Sequence, residues 1–119
     1  MKKTILVVDD FENTLKVTSF VLNKEYRVLE AKSAKIALKM IENEKVDLFI
    51  TDYNMPEMNG FEFVTTLRQN IKFLKTPIFV LSTETKKEVK DALYKLGITA
   101  WVQKPFEIHI LKALISKIL

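Results

Sequence analysis

Asp52 follows the apolar run "DLFIT" and opens the segment "DYNMPEMNG", which closes with Pro56 and Gly60 in reach. A second acidic signal, Asp9–Asp10, ends the run "TILVV". A hydroxyl, Ser82, ends "PIFVL", and an ammonium, Lys104, follows "TAWVQ". Three carboxylates brought together repel: two unit charges ~4 Å apart cost about 4 kcal/mol at an effective dielectric near 20. Left alone, one of them stays protonated. A divalent cation removes the conflict. All-oxygen ligation by few protein ligands suits Mg²⁺, which keeps several waters and pairs with phosphate oxygens. Lysine then partners an incoming phosphoryl group, and the hydroxyl donates to one of its oxygens. The chemistry this favours is attack by a carboxylate on phosphorus to give an acyl phosphate, with Asp52 as nucleophile. Taken singly, each aspartate or the serine reads as a turn or helix cap, and Lys104 as a solvated charge. Only their convergence supports the sharper reading.

Five apolar runs must position these groups: "TILVV" (4–8), "RVLEA" (27–31), "DLFIT" (47–51), "PIFVLS" (77–82) and "TAWVQ" (99–103). Three of them are nearly continuous in Val, Ile, Leu and Phe, as strands covered on both faces are. Helical patterns lie between and after them. Val17, Phe20 and Val21 mark the first. Ala34, Ala37, Leu38 and Ile41 mark the second, with Ser33 as N-cap, and Val64, Leu67 and Ile71 mark the third. Val89, Ala92, Leu93 and Leu96 form the fourth stripe, stopped by Gly97. Leu111, Leu114, Ile115 and Ile118 form the last, with His109 exposed near its start. Strict alternation with right-handed crossovers predicts an α/β fold, a doubly wound five-stranded parallel sheet with five flanking helices. In such folds the working crevice lies outside the carboxyl ends of the strands, where all five chemical groups fall.

Composition narrows the class. A chain of 119 residues, 48% of them hydrophobic, suits one domain with its own core, spanning 1–119. The absence of cysteine excludes disulfides and thiolate metal sites. No run is long enough for a membrane span, and the lysines of "MKKTILVVDD" precede a strand rather than a signal sequence. The net charge of +4 is spread over several helices without an arginine cluster or aromatic platform, so no nucleic-acid partner is expected.

The segments "ILVVDDF", "DYNMPEMNG", "FVLSTE" and "WVQKPF", in this order and spacing, resemble the receiver domain of two-component response regulators over essentially the whole chain. The resemblance implies strand order 2-1-3-4-5, the flavodoxin/CheY-like arrangement, with Asp52 as phosphoacceptor. It implies that Asp10 binds Mg²⁺ directly, Asp9 largely through water, and Asn54 through its backbone carbonyl. Ser82 takes the place of the family's Thr or Ser, and Lys104 contacts the phosphoryl group. Asn54 and Glu84 fall where the family tunes hydrolysis of the acyl phosphate, and Lys104–Pro105 where it commonly has a cis peptide. Within the family, "VVDDF", "DYNMPEMNGFE" and "TETKKE" lean toward the CheY-like, chemotaxis-type stand-alone receivers. Two residues depart from the usual pattern: the switch position is Trp101 rather than Tyr or Phe, and Ser82 replaces the commoner Thr.

These likenesses predict a cytoplasmic, monomeric signalling protein rather than an enzyme. A histidine kinase would phosphorylate it. A flagellar motor switch or other output protein would meet the face made by the fourth helix, fifth strand and fifth helix. A phosphorelay shuttle is the alternative within the family. A Mg²⁺-dependent phosphatase with an Asp nucleophile is the alternative from another class. It requires a second acid two positions beyond Asp52, where this chain has Asn54.

Overall fold

The computed structural model describes residues 2–119. The strands are β1 (Thr4–Val8), β2 (Arg27–Ala31), β3 (Leu48–Asp52), β4 (Ile78–Ser82) and β5 (Ala100–Gln103). The helices are α1 (Glu12–Leu22), α2 (Ala34–Met40), α3 (Gly60–Arg68), α4 (Lys87–Lys95) and α5 (Ile108–Ile118), with a single 3₁₀ turn at Ile71–Phe73. All strand pairs are parallel, in the order β2-β1-β3-β4-β5, as expected. β1, β3 and β4 are buried along their whole length, which explains their unbroken apolar runs. No helix among the described residues is long and apolar enough to cross a membrane.

The sheet separates two cores. On one side α2, α3 and α4 cover Leu6, Val8, Phe49, Ile78 and Val80. The Phe49 ring meets Phe63 and Phe73 edge-on, at 6.1 and 5.2 Å between centroids. On the other side Leu15 and Leu22 of α1, with Leu111 and Ile115 of α5, cover Ile5, Val7, Ile50, Phe79 and Leu81.

Local signals account for three of the helix ends. Ser33 accepts from the Ile36 N–H at 3.1 Å, capping α2. A reciprocal capping box between Asn59 and Glu62 starts α3. α4 ends in a Schellman motif, in which Ile98 N–H bonds Leu93 C=O, Gly97 N–H bonds Tyr94 C=O, and Gly97 takes φ +81°.

Three stripe assignments are corrected. Val17 and Phe20 of α1 point outward, 61% and 74% exposed, while Leu15, Thr18, Ser19 and Leu22 face the sheet. Small hydroxyl residues pack there as readily as aliphatic ones, so the apolar pattern chose the wrong face. Ile71 is not on α3 but in the 3₁₀ turn after it and is 85% exposed, because the chain leaves the helix after Arg68. Ile118, in the last turn of α5, is also exposed.

The junction of α3, the 3₁₀ turn and α4 is closed by Arg68. Its guanidinium donates to four backbone carbonyls: Leu96 at 3.0 Å, Phe73 at 2.7 Å, Thr76 at 2.9 Å and Gly97 at 2.7 Å. Two of these lie at the C-terminus of α4, where carbonyls lack partners within the helix and a cation is favoured.

Candidate functional site

The site forms because five parallel strands end at one edge. Asp9 and Asp10 follow β1, Asp52 is the last residue of β3, Ser82 is the last of β4, and Lys104 follows β5. The register pairs Asp52 with Leu81 and Ser82 with Gln103, so carboxylate and hydroxyl sit on adjacent strands one step apart. One carboxylate oxygen from each of Asp9, Asp10 and Asp52 lies within 4.8 Å of the other two. Lys104 Nζ donates to Asp52 Oδ1 at 3.0 Å. Its backbone N–H bonds the Ser82 carbonyl at 2.8 Å, which anchors the lysine to the neighbouring strand. The Lys104–Pro105 peptide is cis.

Local bonds orient each group. Asp9 Oδ1 accepts from the Phe11 N–H at 2.9 Å, so one of its oxygens is fixed by the turn into α1. Ser82 Oγ, fully buried, accepts from the Glu84 N–H at 2.8 Å, which leaves its own O–H as a donor. Glu84 Oε1 accepts from the N–H groups of Thr85 and Lys86 and so holds the turn that leads into α4. Asn54 is exposed at the rim, two residues beyond Asp52. Gly60 packs against this loop so closely that an added Cβ would lie 2.8 Å from Tyr53 Cα and 3.1 Å from the Asp52 carbonyl oxygen. Its N–H bonds the Tyr53 carbonyl at 2.7 Å. Glu57 takes φ +69° in a turn closed by Met58 N–H to Pro56 C=O, which shapes the segment between Asp52 and α3.

Trp101 is half-buried beside Tyr53, with ring centroids 6.0 Å apart, and Lys90 Nζ stands 5.9 Å over its ring. Its indole Nε1–H is buried and finds no partner among the described residues. Its backbone N–H, on the edge strand, is satisfied by the Tyr94 hydroxyl at 3.0 Å. Sequence reasoning missed Tyr94, Gly60 and the Asn59 capping box. The box was present as "NGFE", whereas the Tyr94 contact has no local signature. His109 lies where expected, exposed in the first turn of α5 and 3.2 Å from Glu107.

Burial pushes the Asp52 carboxyl above its ordinary value, with Asp10 adding to the rise and Lys104 opposing it. Burial also raises Asp9, with the Asp52 and Asp10 charges adding and the Phe11 N–H and Lys104 opposing. A carboxyl raised in the fold stabilises it fully below the unfolded value, near 3.8, and loses that contribution as pH rises through the folded value. Without metal, stability should therefore increase as pH falls from neutral toward that value. Asp9→Asn should raise the metal-free denaturation midpoint at pH 7 and flatten this slope, as chemical denaturation across pH will show. An unchanged slope would mean that Asp9 is not strained by its neighbours.

The donor set fits a hard divalent cation: three carboxylates, no thiolate or imidazole, in a partly desolvated crevice. Metal would offset the cost of burying these charges, to which their mutual repulsion adds.

Comparison with known proteins agrees with this geometry. Residues 5–116 match the response regulator receiver domain family. A chemotaxis protein CheY homologue of Campylobacter jejuni is 38% identical over 97% of this chain and 91% of its own length. The crystal structure of Vibrio cholerae chemotaxis protein CheY4 superposes with a TM-score of 0.93 at 33% identity, covering 100% of both chains. A probable cyclic di-GMP phosphodiesterase of Vibrio cholerae is 33% identical over 92% of this chain, which spans only 25% of that protein's length. Another relative, histidine kinase P4 of Formosa agariphila, is matched over only 9% of its length. With strand order, carboxylate cluster and sequence in agreement, the chain belongs to the response regulator receiver domain family.

Proposed function

We propose that residues 1–119 act as one CheY-like receiver that accepts a phosphoryl group on Asp52 from a histidine kinase and then changes its affinity for an output protein. The observation that carries this is the Lys104–Asp52 contact at 3.0 Å inside the three-carboxylate cluster. An ionised Asp52 oxygen attacks phosphorus, an O–P bond forms, and the P–N bond to the donor imidazole breaks, the leaving ring nitrogen taking up a proton from solvent. Lys104 is drawn from Asp52 to the phosphoryl oxygens, and the Ser82 O–H donates to one of them. Asp9, Asp10, Asp52 and the Asn54 carbonyl would hold Mg²⁺, which supplies positive charge to the phosphoryl oxygens. Exposed Asn54 and the loop held by Glu84 flank the path by which water reaches the acyl phosphate.

The output surface is α4, β5 and α5. Tyr94 and Ile110 are 47% and 48% exposed there, and Trp101 connects that face to the core beside Tyr53. The resemblance to chemotaxis-type receivers favours a flagellar motor switch as the partner, with the protein acting as a cytoplasmic monomer. Trp101 serves as the switch ring. Its buried Nε1–H has no partner among the described residues, so no side-chain hydrogen bond has to break for the ring to move. Ser82, lacking the methyl of Thr, leaves room for the larger indole.

Beryllofluoride with Mg²⁺ should change the emission of Trp101, the only tryptophan, and its quenching by iodide. It should also raise affinity for purified motor switch protein. Neither change should occur without Mg²⁺ or in Asp52→Ala. Ser82→Thr should keep beryllofluoride binding and reduce the Trp101 response. A full response in Ser82→Thr would refute the pairing of small hydroxyl and large ring. No response in the unaltered chain on saturation would refute the switch.

A further inference from the structure

In a parallel sheet all strands begin at one edge, so residues that precede different strands meet there. In this chain they include basic residues at four of the strands. Lys2 and Lys3 precede β1, Arg27 opens β2, Lys45 precedes β3, and Lys72 and Lys75 precede β4. Charges that look scattered along the sequence thus gather at the end of the sheet opposite Asp52, roughly 16 Å away for five residues at ~3.3 Å each. They line two adjoining clefts of about 640 and 490 Å³ that share Lys45 and Asp47.

Little at this end neutralises them. Against these six cations stand Asp47, whose Oδ2 accepts from the Thr4 N–H at 2.8 Å, and Glu44, which pairs with Arg27 at 2.9 Å. Lys2 and Lys72 donate to backbone carbonyls near the ends of α1 and α2, which complements the helix dipoles but leaves the ammonium charges unpaired. Among the described residues no carboxylate lies within ion-pair distance of Lys3, Lys45 or Lys75. Apolar surface adjoins the charge: Ile71 and Leu74, 85% and 51% exposed, flank Lys72 in the wall of the larger cleft.

We propose that this end is a docking surface for an extended acidic segment of a partner protein, with apolar residues among its carboxylates. The paired concave clefts suit a single chain segment rather than a flat lipid surface. Nucleic acid is the poorer match: Arg27 is paired, Arg68 is taken up by carbonyls, and no exposed aromatic at these clefts offers a stacking platform. A second copy of this chain is also a poor match, because its exposed carboxylates outside ion pairs and helix caps, Asp10, Glu42 and Glu88, lie in separate stretches of the chain and form no extended acidic segment. Charge complementarity of this kind sets specificity and association rate, and it weakens with salt.

The probe is a fluorescein-labelled synthetic peptide rich in glutamate with leucines at intervals, beside its glutamine isostere, read by anisotropy. The glutamate peptide should bind and the isostere should not. Lys45→Glu combined with Lys75→Glu should weaken binding at least about tenfold, or 1.4 kcal/mol. Phosphorylation by acetyl phosphate should be unchanged in that variant, which also reports an intact fold. Lys87→Glu combined with Lys95→Glu on α4 should leave peptide binding as it was. Equal loss in both double variants would reduce the effect to net charge and overturn the site, as would no binding by the unaltered chain. Phosphatidylglycerol vesicles or single-stranded DNA bound more tightly than the peptide, and released by the Lys45 and Lys75 changes, would assign the surface to another class of partner and overturn the proposal.

Discussion

Asp52→Ala abolishes the single phosphoryl adduct that acetyl phosphate and Mg²⁺ should place on the unaltered chain. Intact-mass analysis at neutral pH will show its presence or loss. Of the three clustered carboxylates, Asp52 is the one within ion-pair distance of Lys104 Nζ. Asp9 has one oxygen held by the Phe11 N–H, and Asp10 precedes α1 rather than facing Lys104 Nζ at hydrogen-bond distance. Lys104→Met should keep the adduct but slow its formation by about 10²–10³-fold, the range for removing a positioned oxyanion donor. The same experiment separates the receiver reading from the phosphatase alternative. A receiver retains the phosphoryl group on Asp52, whereas a phosphatase would turn over small phosphate esters, for which Asn54 offers no acid. Undiminished labelling of Asp52→Ala would defeat the assignment. Sustained ester turnover would favour the alternative.

The second large effect lies far from the chemistry. Arg68→Ala should destabilise the fold by about 2–4 kcal/mol, because four carbonyls lose a charged donor and those shielded from water stay unpaired. For a domain of this size that is a fall in melting temperature of roughly 10 °C. Arg68→Lys should recover only part of the loss, since a single ammonium cannot match a planar fork that reaches four acceptors. Asp52 labelling should persist below the new transition, because the clamp sits at the opposite end of the strands. A loss under about 1 kcal/mol in Arg68→Ala would mean that water replaces the guanidinium at little cost.

Much of this protein could be read before its structure. Asp9, Asp10, Asp52, Ser82 and Lys104 were legible as neighbours because each ends or follows an apolar run. A parallel sheet places all such ends at one edge whatever the loops between them do. Gly97 and Ser33 were legible for a similar reason, since a left-handed C-cap and an N-cap bond are local. The face of α1 was not legible. Val17 and Phe20 look like a buried stripe, yet the surface under α1 accepts Thr18 and Ser19. Packing of small hydroxyls leaves no apolar period to detect. Nor did the sequence disclose what Arg68 holds, what satisfies the Trp101 N–H, or that basic residues from four separate segments share two clefts. A backbone carbonyl or N–H is present at every residue, so a side chain that seeks one at long range has a partner only the tertiary fold can name. Strand order and register decide which distant lysines become neighbours.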